Sequence, residues 1–213
     1  MTPHPLIARR RVLALAGIAL AGTAVGAPTD EDFNTALERF RLAAGGDTSA
    51  VDDAAARFSQ LSDAAPQDPV LRAYAGATTA LRATTRWLPW RKLAFAEDGL
   101  ALIDQALAQL TPAHDAPAHR GVPASLETRF VAANTFLGLP AMFKRQERGA
   151  RLLAELVGDP RLEQAPLGFR VTVWLRAARQ APHSEQGRAL LQRVAASGTP
   201  QATVAQALLK EPQ

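Results

Sequence analysis

The chain has no cysteine. That excludes a disulfide scaffold, a thiol nucleophile and the lipid-modified cysteine of a bacterial lipoprotein. It has no apolar run of the roughly 20 residues that a membrane helix needs. Strand signals are scarce, because no window alternates for long between runs of turn chemistry. The short run Phe169-Arg170-Val171-Thr172-Val173-Trp174 does alternate, but it also fits a helix. No Gly-rich phosphate loop and no nucleophile elbow is present. Acids are missing from one stretch: Pro69 to Phe95 holds five basic residues and no acid, whereas Pro28 to Asp68 holds nine acids and three arginines. Such blocks describe solvated helix faces or a polarised surface that selects an acidic or anionic partner.

The N-terminus reads as a leader. Arg9-Arg10-Arg11 precedes an alanine-rich apolar stretch from Val12 to Ala21, and small residues run from Gly22 to Ala27. This is the order of a secretory signal peptide over residues 1–26, with cleavage expected after Ala24 or Gly26. A Sec signal is the first reading, and a twin-arginine signal or an uncleaved anchor are the alternatives. Export to the periplasm or beyond is therefore expected, with no stable membrane span after cleavage. Three of the 24 basic residues and none of the 20 acids lie in the leader, so the remaining 21 and 20 nearly cancel. Nucleic acid is not an expected partner of so balanced a chain.

One short pattern recurs four times in what is left. An acid is followed two residues on by a small residue, four later by a large apolar one, and then by a proline. It appears as Asp52, Ala54, Phe58, Pro66; as Glu97, Gly99, Ile103, Pro112; as Glu147, Gly149, Leu153, Pro160; and as Glu185, Gly187, Leu191, Pro200. A fixed pattern at a period of tens of residues is the signature of a stacked-repeat architecture. Each copy reads as the second helix of a pair, with apolar residues at three- and four-residue steps and a proline to end it. The small residue lets a neighbouring helix approach. A glycine inside a helix costs about 1 kcal/mol against alanine, so three at equivalent places argue for a packing need. Candidate first helices are Asp32 to Ala44, Pro69 to Trp87, Pro123 to Leu137 and Pro166 to Gln180. Asp68 is a candidate N-cap with proline next. Gln201 to Lys210 reads as a capping helix.

These motifs resemble the tetratricopeptide repeat family, a helix–turn–helix of about 34 residues. The resemblance covers about residues 30–200 and is best in the first copy, Ala54, Phe58, Leu61 and Pro66, with Gly76 at a small position of the next first helix. It implies an all-α, right-handed solenoid of about four antiparallel helix pairs, near 30–66, 68–112, 122–160 and 164–200, with a cap at 201–211 and one repeat domain over 27–213. The offsets of 45, 50 and 38 residues exceed the family's period. The extra residues are expected between helices, at Leu88 to Lys92 and at His114 to Gly121. The family's Asn/Lys ligand set is missing, since Asn34 and Asn134 are the only asparagines.

No acid–base constellation is visible, so no catalytic residue, metal ligand or cofactor is expected and the protein reads as a non-enzyme. His114 and His119 bracket Asp115 in an Ala/Pro-rich loop with no rigid element to fix a metal. His183 reads as an exposed helix start. The recurring acids read as helix N-terminal stabilisers. The most distinctive segment is Arg82 to Lys92, with Trp87 and Trp90 among basic residues. Tryptophan and arginine are favoured anchors at interfaces. Arg82, Arg86, Trp87, Trp90 and Arg91, with Asn134 on the adjacent first helix, are the candidate partner-binding residues; the alternative is that both tryptophans plug a gap in the core. The expected function is capture of a protein or peptide of the cell envelope. The runner-up is the holding of a small anionic ligand for a transport or envelope system.

Overall fold

The computed structural model describes residues 27–211. The chain is all-α: among the described residues there are nine α-helices and no strand, only an isolated bridge between Pro117 and Pro123. In order these are α1 (Asp30–Ala44), α2 (Val51–Ala64), α3 (Pro69–Thr85), α4 (Pro89–Ala108), α5 (Ala124–Gly138), α6 (Gln146–Gly158), α7 (Leu167–Ala178), α8 (Glu185–Ala195) and α9 (Gln201–Lys210). Consecutive helices pack on one another, and α3 also packs against α5. No helix among the described residues is long and apolar enough to cross a membrane. The expected leader, residues 1–26, lies outside the described residues.

Helix starts are set by local chemistry. Thr29 and Asp32 form a reciprocal capping box at α1, which satisfies two otherwise orphaned donors. Asp68 Oδ1 accepts from the backbone N–H groups of Val70 and Leu71 at 2.8 and 3.2 Å, and Pro69 opens α3. Ser184 accepts from Gly187 N–H at 3.0 Å to start α8, leaving His183 exposed before it.

The four small–large pairs all lie in the core. Ala54 with Phe58, Gly99 with Ile103, Gly149 with Leu153 and Gly187 with Leu191 are buried. Gly99 and Gly149 face a neighbouring helix's backbone and side chains, but Gly187 does not. A Cβ there would strike the Ala181 carbonyl of its own preceding turn. Its glycine serves the tight link to α8, not helix–helix approach, which corrects the expectation of one shared packing role.

Helix α5 joins the two halves. Ala124 and Val131 pack with Phe33, Phe58 and Tyr74 on the N-terminal side. Leu126, Phe130 and Ala133 pack with Leu153, Phe169 and Leu191 on the C-terminal side. Ala132 and Phe136 meet Leu100 and Ile103. A helix apolar on nearly every face is a buried one, and each fully buried large side chain contributes about 1.5–3 kcal/mol.

The Leu-Pro step at Leu88-Pro89 is no insertion between helices. Leu88 is the N-cap, and Pro89 to Lys92 form the first turn of α4. Proline at the first helical position has its φ already set, so the extra residues lengthen the helix. Glu97 consequently sits in mid-helix, not at an N-terminus. The second Leu-Pro step behaves differently. After Pro140, a single 3-10 turn (Ala141–Phe143) ends at Lys144 in the left-handed region, φ 52°.

Candidate functional site

The Arg/Trp segment lies at the outer end of α3 and the start of α4. Trp87 is 84% and Trp90 66% exposed, so neither is a core plug. Arg91 is exposed as well. Arg82 and Arg86 differ from this. Arg82 Nε donates to Asp52 Oδ1 at 2.8 Å, and Arg86 Nη2 donates to the same oxygen at 2.5 Å. Both guanidinium groups also lie over the Phe95 ring, at 4.4 and 5.3 Å. Burial works against the Asp52 charge, yet the bonds from Arg86 and Arg82 hold its carboxyl below the usual range. The stretch is free of acids in sequence but not in space, because α2 supplies the counter-charge. One carboxylate faces two guanidinium groups, and Arg91 and Lys92 have no carboxylate partner among the described residues, so the positive potential expected there is reduced but not cancelled.

Trp90 lies on the rim of a larger feature. Between α1, α3, α4 and α5 runs an apolar trough of about 690 Å³. Ala77 and Ala80 form part of its floor; Trp90, Leu93, Met142 and Phe143 form part of its rim. Leu93 and Met142 are exposed apolar residues too, 40% and 71%. Beside it, between α1, α5 and α7, lies a basin of about 730 Å³. Arg41, Arg120, Arg176 and Arg179 reach it, and among the described residues no acid lines either hollow. Phe40 and Asn134 line both.

Asn134 is thus the one candidate residue at the junction of the two hollows. Its Oδ1 accepts from Arg176 Nε at 2.7 Å. Arg176 has no carboxylate partner among the described residues, nor do Arg41 and Arg179, whereas eleven other arginines do. Burial and the neighbouring Arg179 charge hold the Arg176 guanidinium below its ordinary value. A cation crowded by another cation gains most from an anion brought between them.

The basin is anchored from below by a buried polar network. Tyr74 Oη donates to Glu127 Oε1 at 2.9 Å, and Arg120 pairs with the same carboxylate. Burial pushes the Glu127 carboxyl up; the Arg120 charge and the Tyr74 hydroxyl pull it back. Burial, and then the Glu127 charge, push the Tyr74 hydroxyl well above its ordinary value. Next to Arg120, the His119 ring stacks on Phe33 at 4.3 Å and its Nε2 lies 2.7 Å from Asp68 Oδ2. Asp68, the cap of α3, therefore also pins the 112–123 segment. That corrects the reading of this segment as a loop without rigid support. No cluster of three metal-ligating side chains occurs among the described residues.

Sequence reasoning missed Phe40, Arg41, Arg176 and Arg179. The only local signal was an Arg pair three apart, Arg176 on α7 and Arg179 just past its end, with no acid nearby. No protein-family model, curated protein or solved structure matches the chain.

Proposed function

We propose that this is a non-enzymatic helical-repeat binding protein of the cell envelope, and that the joined trough and basin are its ligand-binding surface. The observation that carries this is the pair of acid-free hollows sharing Asn134, with three arginines in one of them that lack a carboxylate. Pockets that bind ligands are mostly apolar with a few convergent polar groups, and this one has that composition. It supports an anionic ligand as the occupant, held for a transport or envelope system. The repeat reading, a right-handed solenoid of four pairs α1–α2 to α7–α8 capped by α9, is part of the proposal. It is supported by the recurring buried small–large pairs and by consecutive helix packing.

A second reading is capture of an envelope protein or peptide. The exposed Trp87, Trp90 and Met142 favour it, because exposed aromatics beside a groove are the usual anchors of such contacts. One paired experiment separates the two. The purified protein is screened by thermal shift against small anions, and in parallel used to capture proteins from an envelope fraction. Stabilisation by anions that Arg176→Ala abolishes supports the first reading. Capture that Trp87→Ala and Trp90→Ala abolish, with no response to any anion, replaces it with the second.

A further inference from the structure

The two hollows differ in chemistry yet share a wall, and that combination restricts the occupant. Hydrogen-bonding groups in the trough are almost all committed. Thr84 Oγ1 donates to Leu81 O at 2.7 Å and Thr135 Oγ1 to Val131 O at 2.9 Å. Asn134 Oδ1 is taken by Arg176. Lys92, on the exposed rim, is the only charged residue lining it among the described residues. An extended peptide laid here would bury backbone N–H and C=O groups with nothing to meet them, which binding does not tolerate well. An alkyl chain has no such groups and gains from every methylene taken out of water.

The basin has the opposite need. Arg41, Arg176 and Arg179 line it with no acid beside them among the described residues, and Asn134, whose Oδ1 alone is engaged by Arg176, lines both hollows. Guanidinium groups bind carboxylates through paired, charge-assisted hydrogen bonds. Arg120 is not available, being committed to Glu127.

We propose that trough and basin form one site for a long-chain carboxylate, a free fatty-acid anion. The carboxylate lies between Arg176, Arg179 and Arg41 beside Asn134, and the chain runs past Phe40 into the trough beneath Trp90 and Met142. This rests on the reading of the joined hollows as an anion-binding surface. Neither half alone accounts for the other: a small anion leaves the trough empty, and an uncharged chain leaves the half-buried Arg176 beside Arg179 without a counter-charge. The trough is open along one side, so chains of different length fit the same head site.

The test is a titration of the purified protein with octanoate, decanoate and dodecanoate, below the concentrations at which they form micelles, read by tryptophan fluorescence and calorimetry. Expected is one saturable site. The tryptophan emission shifts to the blue, a shift that Trp90→Phe removes, and affinity rises about two- to fourfold for each added methylene. Arg176→Ala with Arg179→Ala should weaken dodecanoate at least tenfold while leaving dodecanol binding and helicity unchanged. Leu93→Glu, at an exposed rim position that folding tolerates, should abolish dodecanoate binding. Acetate, phosphatidylglycerol vesicles and an amphipathic leucine/glutamate peptide are the comparison probes. Affinity that ignores chain length, or binding to vesicles or the peptide without binding of monomeric dodecanoate, overturns the proposal. If short anions still stabilise the protein through Arg176 in that case, the anion reading survives and only the chain is wrong. If they do not, both fall together.

Discussion

Gly76 and Gly99 bring α3 and α4 into backbone contact. A Cβ on Gly76 would lie 2.7 Å from the Gly99 carbonyl oxygen, and one on Gly99 would lie 2.5 Å from that of Gly76 and 2.6 Å from Ala80 N. Backbone cannot swing aside as a side chain can. Gly99→Leu should therefore force the two helices apart, costing at least the 1–3 kcal/mol typical of overpacking. Gly149→Leu meets Leu137 Cγ at 2.9 Å and the Ala133 carbonyl at 3.0 Å from its first carbon, and should cost about 1–3 kcal/mol. Gly45 has φ −78°, so Gly45→Ala needs no strained backbone; its Cβ would lie 3.2 Å from the Arg41 carbonyl oxygen, and the change should stay within about 1 kcal/mol. Urea unfolding of the three variants checks the order. Equal loss at all three would remove the packing argument.

Stability should depend on pH through His119. Burial disfavours its charge, but the hydrogen bond and charge of Asp68, with the charges of Glu127 and Asp30, outweigh this and raise its pKa above 6.5. Burial likewise opposes the Asp68 charge, and the His119 contacts with two backbone N–H groups lower its pKa below 3.8. A raised imidazole contributes fully below its unfolded value and loses the contribution as pH rises through the folded one; a lowered carboxyl loses it as pH falls through the folded value. The pair is thus at full strength between about 3.8 and 6.5. Glu127, pushed up by burial, has the same sign, since ionising it costs more in the fold than outside, but its loss begins near its ordinary 4.5 and so precedes that of His119. The melting temperature should fall as pH climbs from 6 to 9, and His119→Gln should flatten that slope. A slope unchanged in the variant would assign the pH dependence to other groups.

The helices were legible in the sequence because their signals are local. Caps such as Asp68-Pro69 and buried pairs such as Ala54 with Phe58 depend on residues within one or two turns. The all-α class followed from them. The Leu88-Pro89 step was misread because a proline that starts a helix and one that separates two helices look alike. The counter-charge shared by Arg82 and Arg86 was out of reach, since Asp52 lies 30 residues before the nearer arginine and reaches it only through packing of α2 on α3. The basin was less legible still. Arg41 is on α1 and Arg176 on α7, and each alone is an ordinary arginine on an amphipathic helix.

The exposed tryptophan and the paired arginines should separate stability from surface. Trp90→Ala removes a side chain that is 66% exposed, so its melting temperature should stay within about 2 °C of the parent. Arg82→Ala with Arg86→Ala removes two partly exposed ion pairs to one carboxylate, worth about 0–1 kcal/mol each, together with their contacts on Phe95. A drop of a few degrees is expected, with no loss of ligand affinity, because the pair faces Asp52 and not the basin. Calorimetric melts with a parallel binding measurement check both. A large drop for Trp90→Ala would place that ring in the core after all.

Glu127 and Arg120 should behave as one unit. Glu127 is fully buried, and its carboxylate is held by Arg120 and by the Tyr74 hydroxyl. Arg120 in turn adopts a left-handed backbone, φ 57°, which a side chain other than glycine takes up only at a cost. Its charge is the compensation that makes a buried carboxyl tolerable. Arg120→Ala should cost about 1–3 kcal/mol, the penalty for leaving a buried polar group without its partner. Arg120→Gly removes the same charge but relieves the backbone, so it should cost less than Arg120→Ala. Glu127→Gln keeps the size and a hydrogen bond to Tyr74 while removing the charge. Once Glu127→Gln is in place, Arg120→Ala should cost clearly less than it does alone, a coupling of at least 0.5 kcal/mol in a double-mutant cycle. Additive losses would mean that Arg120 serves the basin surface and not the carboxylate beneath it.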